Sequence, residues 1–506
     1  MAISDAVLDS QISRIVGYKL TTGNFATSTS NLPQRIALLG EANEANQATL
    51  DTTPIEITSA QQAGTLFGYG SPLYLQARIL LPLNGGGVRG IPVIAYPQAK
   101  AVGSIAKVIS IEPSGTATEN YTHTLVIAGR EGLDGVSYDI NIVIGDTVTE
   151  ITGKITDAVN AVLGCPMIAT DDDYTTNLTA KWRGLTSNDL NVSVNTNGNA
   201  AGITYTITNA VSGSGTPSIT SSLTAFGNEW NTIVCNSYGT VSSIMSSLES
   251  FNGKPDATNP TGRYTGIVMK PFIAITGSVA DDPTSITDAR LNELTIAIAP
   301  APLSKGLPME AAANMTSLFA LVSQNTPHLD VAGKAYPDMP TPTSIGSMSD
   351  YTNRNAFLKK GCSTVDLVSG AYVVQDFATT YHKLGETPPQ FRYPRNIMID
   401  FNVRYGYYLL EQSNVVDHAI ASNDAIVTAT KVIKPKQWIA LLNNYAEDLA
   451  IRALIVEVKF MQDSLIVSLS ATNPDRLETF FKYKRSGFTR INSTTAEAGF
   501  NFGTLS

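Results

Sequence analysis

The stretch Gly85-Gly-Gly-Val-Arg-Gly90 matches, letter for letter, the G-x-G-x-x-G spacing of loops that cradle a dinucleotide pyrophosphate. That chemistry requires the glycines to follow a strand and open a helix, so that helix N-terminal amides meet phosphate. Here a helical pattern precedes them and the strand pattern Ile91–Tyr96 follows, so a helix-to-strand turn is the better account. Asp171-Asp-Asp173, followed by Tyr174, offers carboxylates to calcium. The ligands spaced around a turn and the closing carboxylate of a calcium loop are absent, and a solvated acidic turn is favoured. The four histidines, His123, His328, His382 and His418, form no pair at metal-ligand spacing. His418 beside Asp417 has the composition of a base and its orienter, but adjacent residues on a helix diverge in direction. There is no G-x-S-x-G elbow and no P-loop. Catalysis would need a site assembled from residues distant in sequence. The expectation is therefore no enzyme, no catalytic or metal residues and no cofactor.

The three cysteines, Cys165, Cys235 and Cys362, are odd in number and far apart, so neither a disulfide framework nor a zinc site follows; buried thiols in a reducing cytoplasm are expected. With 506 residues the chain exceeds what one hydrophobic core usually serves, and two to four domains are expected. Hydrophobic residues make up 43%, which excludes global disorder. Charged residues make up only 15%, which suits either a surface covered by neighbours or one rich in Ser, Thr and Asn. A net charge of -9 argues against nucleic acid as a partner. No apolar run approaches membrane-spanning length, and the start Met1-Ala-Ile-Ser-Asp5 lacks the pattern of a secretory signal.

The pattern along the chain divides it. Residues 1–32 carry short apolar clusters (Ile12, Ile15, Val16, Tyr18, Leu20), too short to fold alone and too apolar for an ordinary solvated tail. Residues 33–100 read as α/β: a buried strand Arg35–Gly40, a helix from Thr58 toward Ile79 broken at Gly68–Pro72, and the strand Ile91–Tyr96. From 101 to 225 the chain is rich in Thr, Ser, Asn and Gly, with alternating strands around one helix, Thr149–Leu163, and reads as an inserted β-rich domain. The α/β pattern resumes over 226–400, with a strand expected at Asn231–Cys235, a helix at Val241–Phe251 and further strand candidates at Thr265–Met269 and Leu294–Ile298. A C-terminal core domain is expected over 401–486. Its helix carries Trp438, Leu442, Tyr445 and Leu449, and its hairpin pairs Val456, Val458 and Phe460 with Leu465, Val467 and Leu469 across Met461–Ser464. Phe480–Lys484 is a further strand candidate, and residues 487–506 form a C-terminal arm. The fold class expected is mixed α+β and α/β, with a discontinuous core, an inserted β-rich domain and extended arms at both ends.

Several phrases carry a resemblance when taken in order. They are Gly40-Glu-Ala after the first strand, Pro92-Val-Ile-Ala-Tyr-Pro97, and Leu178-Thr-Ala-Lys-Trp-Arg-Gly-Leu-Thr-Ser-Asn-Asp-Leu190. Tyr393-Pro-Arg-Asn-Ile-Met-Ile-Asp-Phe401, the passage from Asn473 onward and the closing Ala496-Glu-Ala-Gly-Phe500 complete them. Over nearly its whole length the chain resembles the Mu-like branch of contractile phage tail sheath proteins. The resemblance implies a helical polymer of many copies around a tail tube protein, bounded by baseplate and tail terminator proteins, that contracts without consuming nucleotide. It implies assembly in the host bacterial cytoplasm and a final place in the virion tail. It also implies that segments around Ile12, Ile15, Val16 and Tyr18, and around Phe488, Ile491 and Phe500, are donated as strands to the Val456–Leu469 hairpin of a neighbour. A sheath from a phage-derived bacteriocin or injection device reads the same way. A surface-layer or tube protein shares the Ser/Thr/Asn-rich, self-associating character, and an α/β enzyme with a β accessory domain is the competing class.

Overall fold

Uninterrupted apolar runs of four residues, such as Ile36-Ala-Leu-Leu and Phe272-Ile-Ala-Ile, fit a parallel sheet covered on both faces, where neither side needs polar residues. The computed structural model, which describes residues 30–500 apart from Ile267 and Pro388, contains such a sheet. Its strands are β1 (Ile36–Glu41), β2 (Ile55–Ile57), β3 (Val93–Gln98), β4 (Ile233–Asn236), β5 (Ile273–Ser278) and β6 (Ile296–Pro300). They lie in the order β6-β5-β4-β1-β3-β2. All neighbours are parallel except β2, which runs antiparallel to β3. Ile36 pairs with Val93 on one side and Ile233 on the other, so β1 sits at the centre.

Alternate residues of each strand enter different layers. Ile36, Leu38, Val93, Ala95, Ile233 and Cys235 pack in the layer that holds helices α1 (Ala60–Phe67) and α2 (Pro72–Leu80). Ala37, Leu39, Ile94, Tyr96 and Val234 pack on the opposite side against Ile244, Met245 and Leu248 of α3 (Ser242–Asn252). Helix α4 (Pro308–Asn325) joins the first layer through Ala311, Ala312 and Met315. The expected break at Gly68–Pro72 is a full stop and restart. Gly68 leaves α1 at φ 89, Ser71 caps α2 by accepting from Tyr74 N, and Pro72 occupies the first turn where its missing N–H costs nothing. One expected strand is absent. Around Thr265–Met269 the amides of Val268 and Met269 both turn back to the Thr265 carbonyl, and β5 begins only after Pro271.

Between β3 and β4 the chain builds two larger antiparallel sheets and a short ladder, Gly132–Leu133 with Val136–Ser137. One has four strands in the order Ile203–Val211, Val108–Gly115, Thr175–Ala180, Met167–Asp172; the other has Val192–Asn195, Tyr121–Ile127 and Asp139–Ile142. Helix Val148–Asn160 packs between them behind a capping box in which Thr147 and Glu150 exchange hydrogen bonds. Trp182 is fully buried in this core and donates from Nε1 to Thr186 Oγ1 at 3.0 Å. Tyr74, Leu75, Leu307 and Met309 share the same core, so it is continuous with α2 and the start of α4. Two ion pairs and a hydrogen bond reinforce that seam: Arg78 meets Asp338 at 2.7 Å, Arg130 meets Glu310 at 3.0 Å, and the Tyr74 hydroxyl donates to Asp134. Glu310 is buried and also accepts from Leu307 N, so one carboxylate both caps α4 and holds Arg130.

The chain divides into two units, residues 31–405 with 485–500 and residues 406–484. The elements above all belong to the first. It also holds the hairpin Thr364–Val368 with Ala371–Asp376.

Candidate assembly interface

None of the sequence patterns with chemical potential forms a site. Gly85–Gly90 lies between α2 and β3, and a Cβ at Gly87 would stand 2.2 Å from the Leu80 carbonyl oxygen, so tight passage explains the glycine. Asp171 and Asp172 end a strand at a hairpin turn. His123 is buried between the Tyr205 hydroxyl at 2.7 Å and the Asn199 carbonyl at 2.9 Å, a structural role. The three cysteines are buried and free, and burial raises the Cys235 thiol to about 12, far from thiolate chemistry. Among the described residues no group of three potential metal ligands converges.

The 406–484 unit is organised by helix Pro435–Ile451, which buries Trp438, Leu442, Tyr445 and Leu449 at helical spacing, as the periodicity predicts. Trp438 packs edge-on to Tyr407 at 5.9 Å and donates from Nε1 to Thr479 Oγ1 at 3.1 Å. That bond ties the helix to a hairpin made of Ile466–Leu469 and Leu477–Phe480, paired Ile466↔Phe480 through Leu469↔Leu477. The expected partner strand is wrong. Glu457 takes a left-handed backbone at φ 54, and Val458–Asp463 continues as a short helix whose Met461 is buried. Val456 closes a two-residue strand, while Val458 and Phe460 are helical; Leu465 precedes the strand that holds Val467 and Leu469. The true turn, with Asp475 N bonded to Asn473 Oδ1 and Ser470 N to the Arg476 carbonyl, is signalled by Asn473-Pro-Asp.

The hairpin has two strands of four residues, and among the described residues no further strand pairs with either edge. Ile466 and Phe480, directly opposite each other, are 60% and 51% exposed. An open edge beside an apolar cross-strand pair is a template for another strand.

The expected donor segments fare differently. Ile12, Ile15, Val16 and Tyr18 lie outside the described residues. Phe488 is half-buried against its own chain, with the Arg395 guanidinium 5.8 Å from its ring. Ile491 and Phe500 are 83% and 91% exposed in a stretch, residues 491–500, without secondary structure. The basic residues at the root of this tail find acids within the chain: Lys484 meets Glu457 at 2.5 Å and Arg485 meets Asp400 at 2.7 Å. Arg490 meets Asp330 and Asp376. Sequence reasoning missed Asp330, Asp376 and Asp400, because nothing local marks a carboxylate whose partner is about a hundred residues away.

The chain is 25% identical over 442 residues to the Mu-like prophage FluMu tail sheath protein of Haemophilus influenzae, and the match covers 84% of each chain. The resemblance to Mu-like tail sheath proteins expected from the sequence is borne out by this match. No family model matches. Two solved structures align over most of the chain at low identity. The sheath tail protein of Desulfitobacterium hafniense has a TM-score of 0.47, is 12% identical, and the alignment covers 93% of this chain and all of that one. The helical sheath of the anti-feeding prophage in its contracted state has a TM-score of 0.42, is 10% identical, and the alignment covers 97% of this chain and all of that one.

Proposed function

We propose that this chain is the subunit of a contractile tail sheath, polymerising helically around a tail tube and contracting to drive the tube through a cell envelope during genome delivery. The observation that carries this reading is the identity to a tail sheath protein sustained over 442 residues. In this reading the α/β sheet unit forms the core, discontinuous across residues 33–100 and 226–400, and residues 101–225 are an inserted domain decorating the outside. The tube, baseplate and terminator proteins are its partners, the host cytoplasm its place of assembly and the virion tail its final location. The work is mechanical and resides in interfaces, not in an active site.

The mechanism proposed is strand exchange. The open hairpin Ile466–Leu469 with Leu477–Phe480 accepts strands from neighbouring copies, donated from the N-terminal segment around Ile12–Tyr18 and from the C-terminal tail. Each added backbone hydrogen bond contributes only about 0.5–1.5 kcal/mol, so one arm is a modest tether. Repeated through a lattice, such tethers keep subunits connected while their cores slide between two arrangements that differ in core-to-core contacts. A heterologous interface of this kind propagates as an open filament.

Negative-stain electron microscopy of the purified protein tests the reading. Tubes or striated cylinders are expected. Uniform compact particles that never polymerise at any concentration or salt would overturn it.

A further inference from the structure

The root of the C-terminal tail is riveted to its own chain through Arg485, Ser486 and Arg490. Arg485 donates from Nε and Nη2 to both carboxylate oxygens of Asp400, each at 2.7 Å, and its guanidinium lies 5.2 Å from the Phe391 ring centre. Ser486 is buried; its carbonyl and hydroxyl oxygens each accept from the Arg395 guanidinium at 2.8 Å. Arg490 reaches between two carboxylates, Asp330 and Asp376, and lies 3.8 Å over the face of Tyr393.

The receiving acids are also held by donors outside the tail. Asp330 Oδ1 accepts from Val331 N at 2.6 Å, which leaves Oδ2 for Arg490. Asp376 Oδ2 accepts from Thr364 Oγ1 at 3.3 Å, which leaves Oδ1 for Arg490. Arg395 is itself aimed by donating from Nε to the His328 carbonyl at 2.7 Å. A planar guanidinium between preset carboxylates and over an aromatic face is a directional contact that lysine would not reproduce. Immediately past it, from Ile491 to Phe500, every residue is exposed.

We propose that Arg485, Ser486 and Arg490 form a clamp that fixes the pivot of the C-terminal arm at residue 490, so that the segment available to a second copy of this chain begins at Ile491. This rests on the strand-exchange reading above and refines it: Phe488, expected as part of the donated strand, belongs to the anchor. Fixing the root shortens the tether between the core and the exposed stretch that begins at Ile491, which raises the effective concentration of that stretch at a neighbour relative to an arm released at residue 485.

Trypsin cleavage of the full-length subunit under native, unassembled conditions reads the clamp, because cleavage after Arg490 requires its side chain to leave Asp330 and Asp376. In the wild-type chain the Arg490–Ile491 bond is cut much more slowly than the bond after exposed Arg476. In Asp376→Asn, an isosteric change at a half-buried carboxylate, cleavage after Arg490 accelerates roughly tenfold. In a second readout, Arg490→Gln raises the concentration needed for polymerisation several-fold in a subunit that still unfolds cooperatively, and Arg490→Lys restores little of it. Equal wild-type cleavage rates at Arg490 and Arg476, or unchanged assembly of Arg490→Gln, would overturn the clamp. A wild-type chain that never polymerises would overturn the sheath reading instead, and the trypsin arm would still decide the clamp.

Discussion

Glu41 closes β1 while only 2% exposed, and its Oε2 has no hydrogen-bond partner among the described residues. The loop bearing Gly184 lies beside it, and a Cβ at Gly184 would stand in ordinary contact with Oε1 at 3.5 Å. Burial, and secondarily the charge of Glu44, raises the Glu41 carboxyl from 4.5 to about 8. The folded chain thus holds this proton more tightly than the unfolded one. The stabilising effect is complete below pH 4.5 and declines by about 1.4 kcal/mol per pH unit until about pH 8. Burial raises Glu249 to about 7 and Asp189 to about 6, with the same sign. We expect Glu41→Gln to flatten the fall in stability between pH 5 and pH 8, gaining most over wild type at the alkaline end. Urea unfolding of both proteins at the two pH values checks this, and parallel pH profiles would refute it. Nothing in Gly40-Glu-Ala announces such an environment. It arises because the loop bearing Gly184, far along the chain, closes over the strand end.

Helix Pro435–Ile451 ends in a Schellman arrangement, with Leu454 N bonded to the Leu449 carbonyl and Ala453 N to the Ala450 carbonyl. Leu449 and Leu454 are both buried, the apolar contact that accompanies this cap. Ala453 occupies the left-handed position at φ 53, where a Cβ is strained and glycine is the usual residue. Ala453→Gly is therefore expected to stabilise the chain by about 1 kcal/mol, read as a shift in the denaturation midpoint at constant slope. A destabilised variant would show that lost side-chain packing or chain entropy wins. The helix was legible because Trp438, Leu442, Tyr445 and Leu449 share one face. The hairpin after it was half legible: the strand Ile466–Leu469 is evident in the alternation, and its partner is not. Val456-Glu-Val-Lys-Phe460 alternates as a strand would, but the run also fits a helical turn, and the left-handed Glu457 with buried Met461 decides for the helix.

At the scale of the whole molecule, the strand-exchange proposal needs two features, an exposed segment to donate and an open hairpin edge to receive it. Removing residues 491–506 is expected to leave melting temperature unchanged and abolish polymerisation; sedimentation and electron microscopy report both, and unimpaired filaments would refute the role of the arm. The sequence by itself determined the α/β character of the core, the helical stretch broken at Gly68–Pro72, the β-rich stretch after residue 101, and the resemblance to tail sheath proteins. Each of these is written in local periodicity or in phrases read in order. That the core strands run parallel came from the structure. Only the tertiary structure decided which strand completes the hairpin, that Glu41 is sealed away from water, and that Phe488 is half-buried beside Arg395 while Ile491 is exposed. At the root of the tail, Asp330, Asp376 and Asp400 meet arginines 85 to 160 positions away, and no local pattern encodes a partner at that separation.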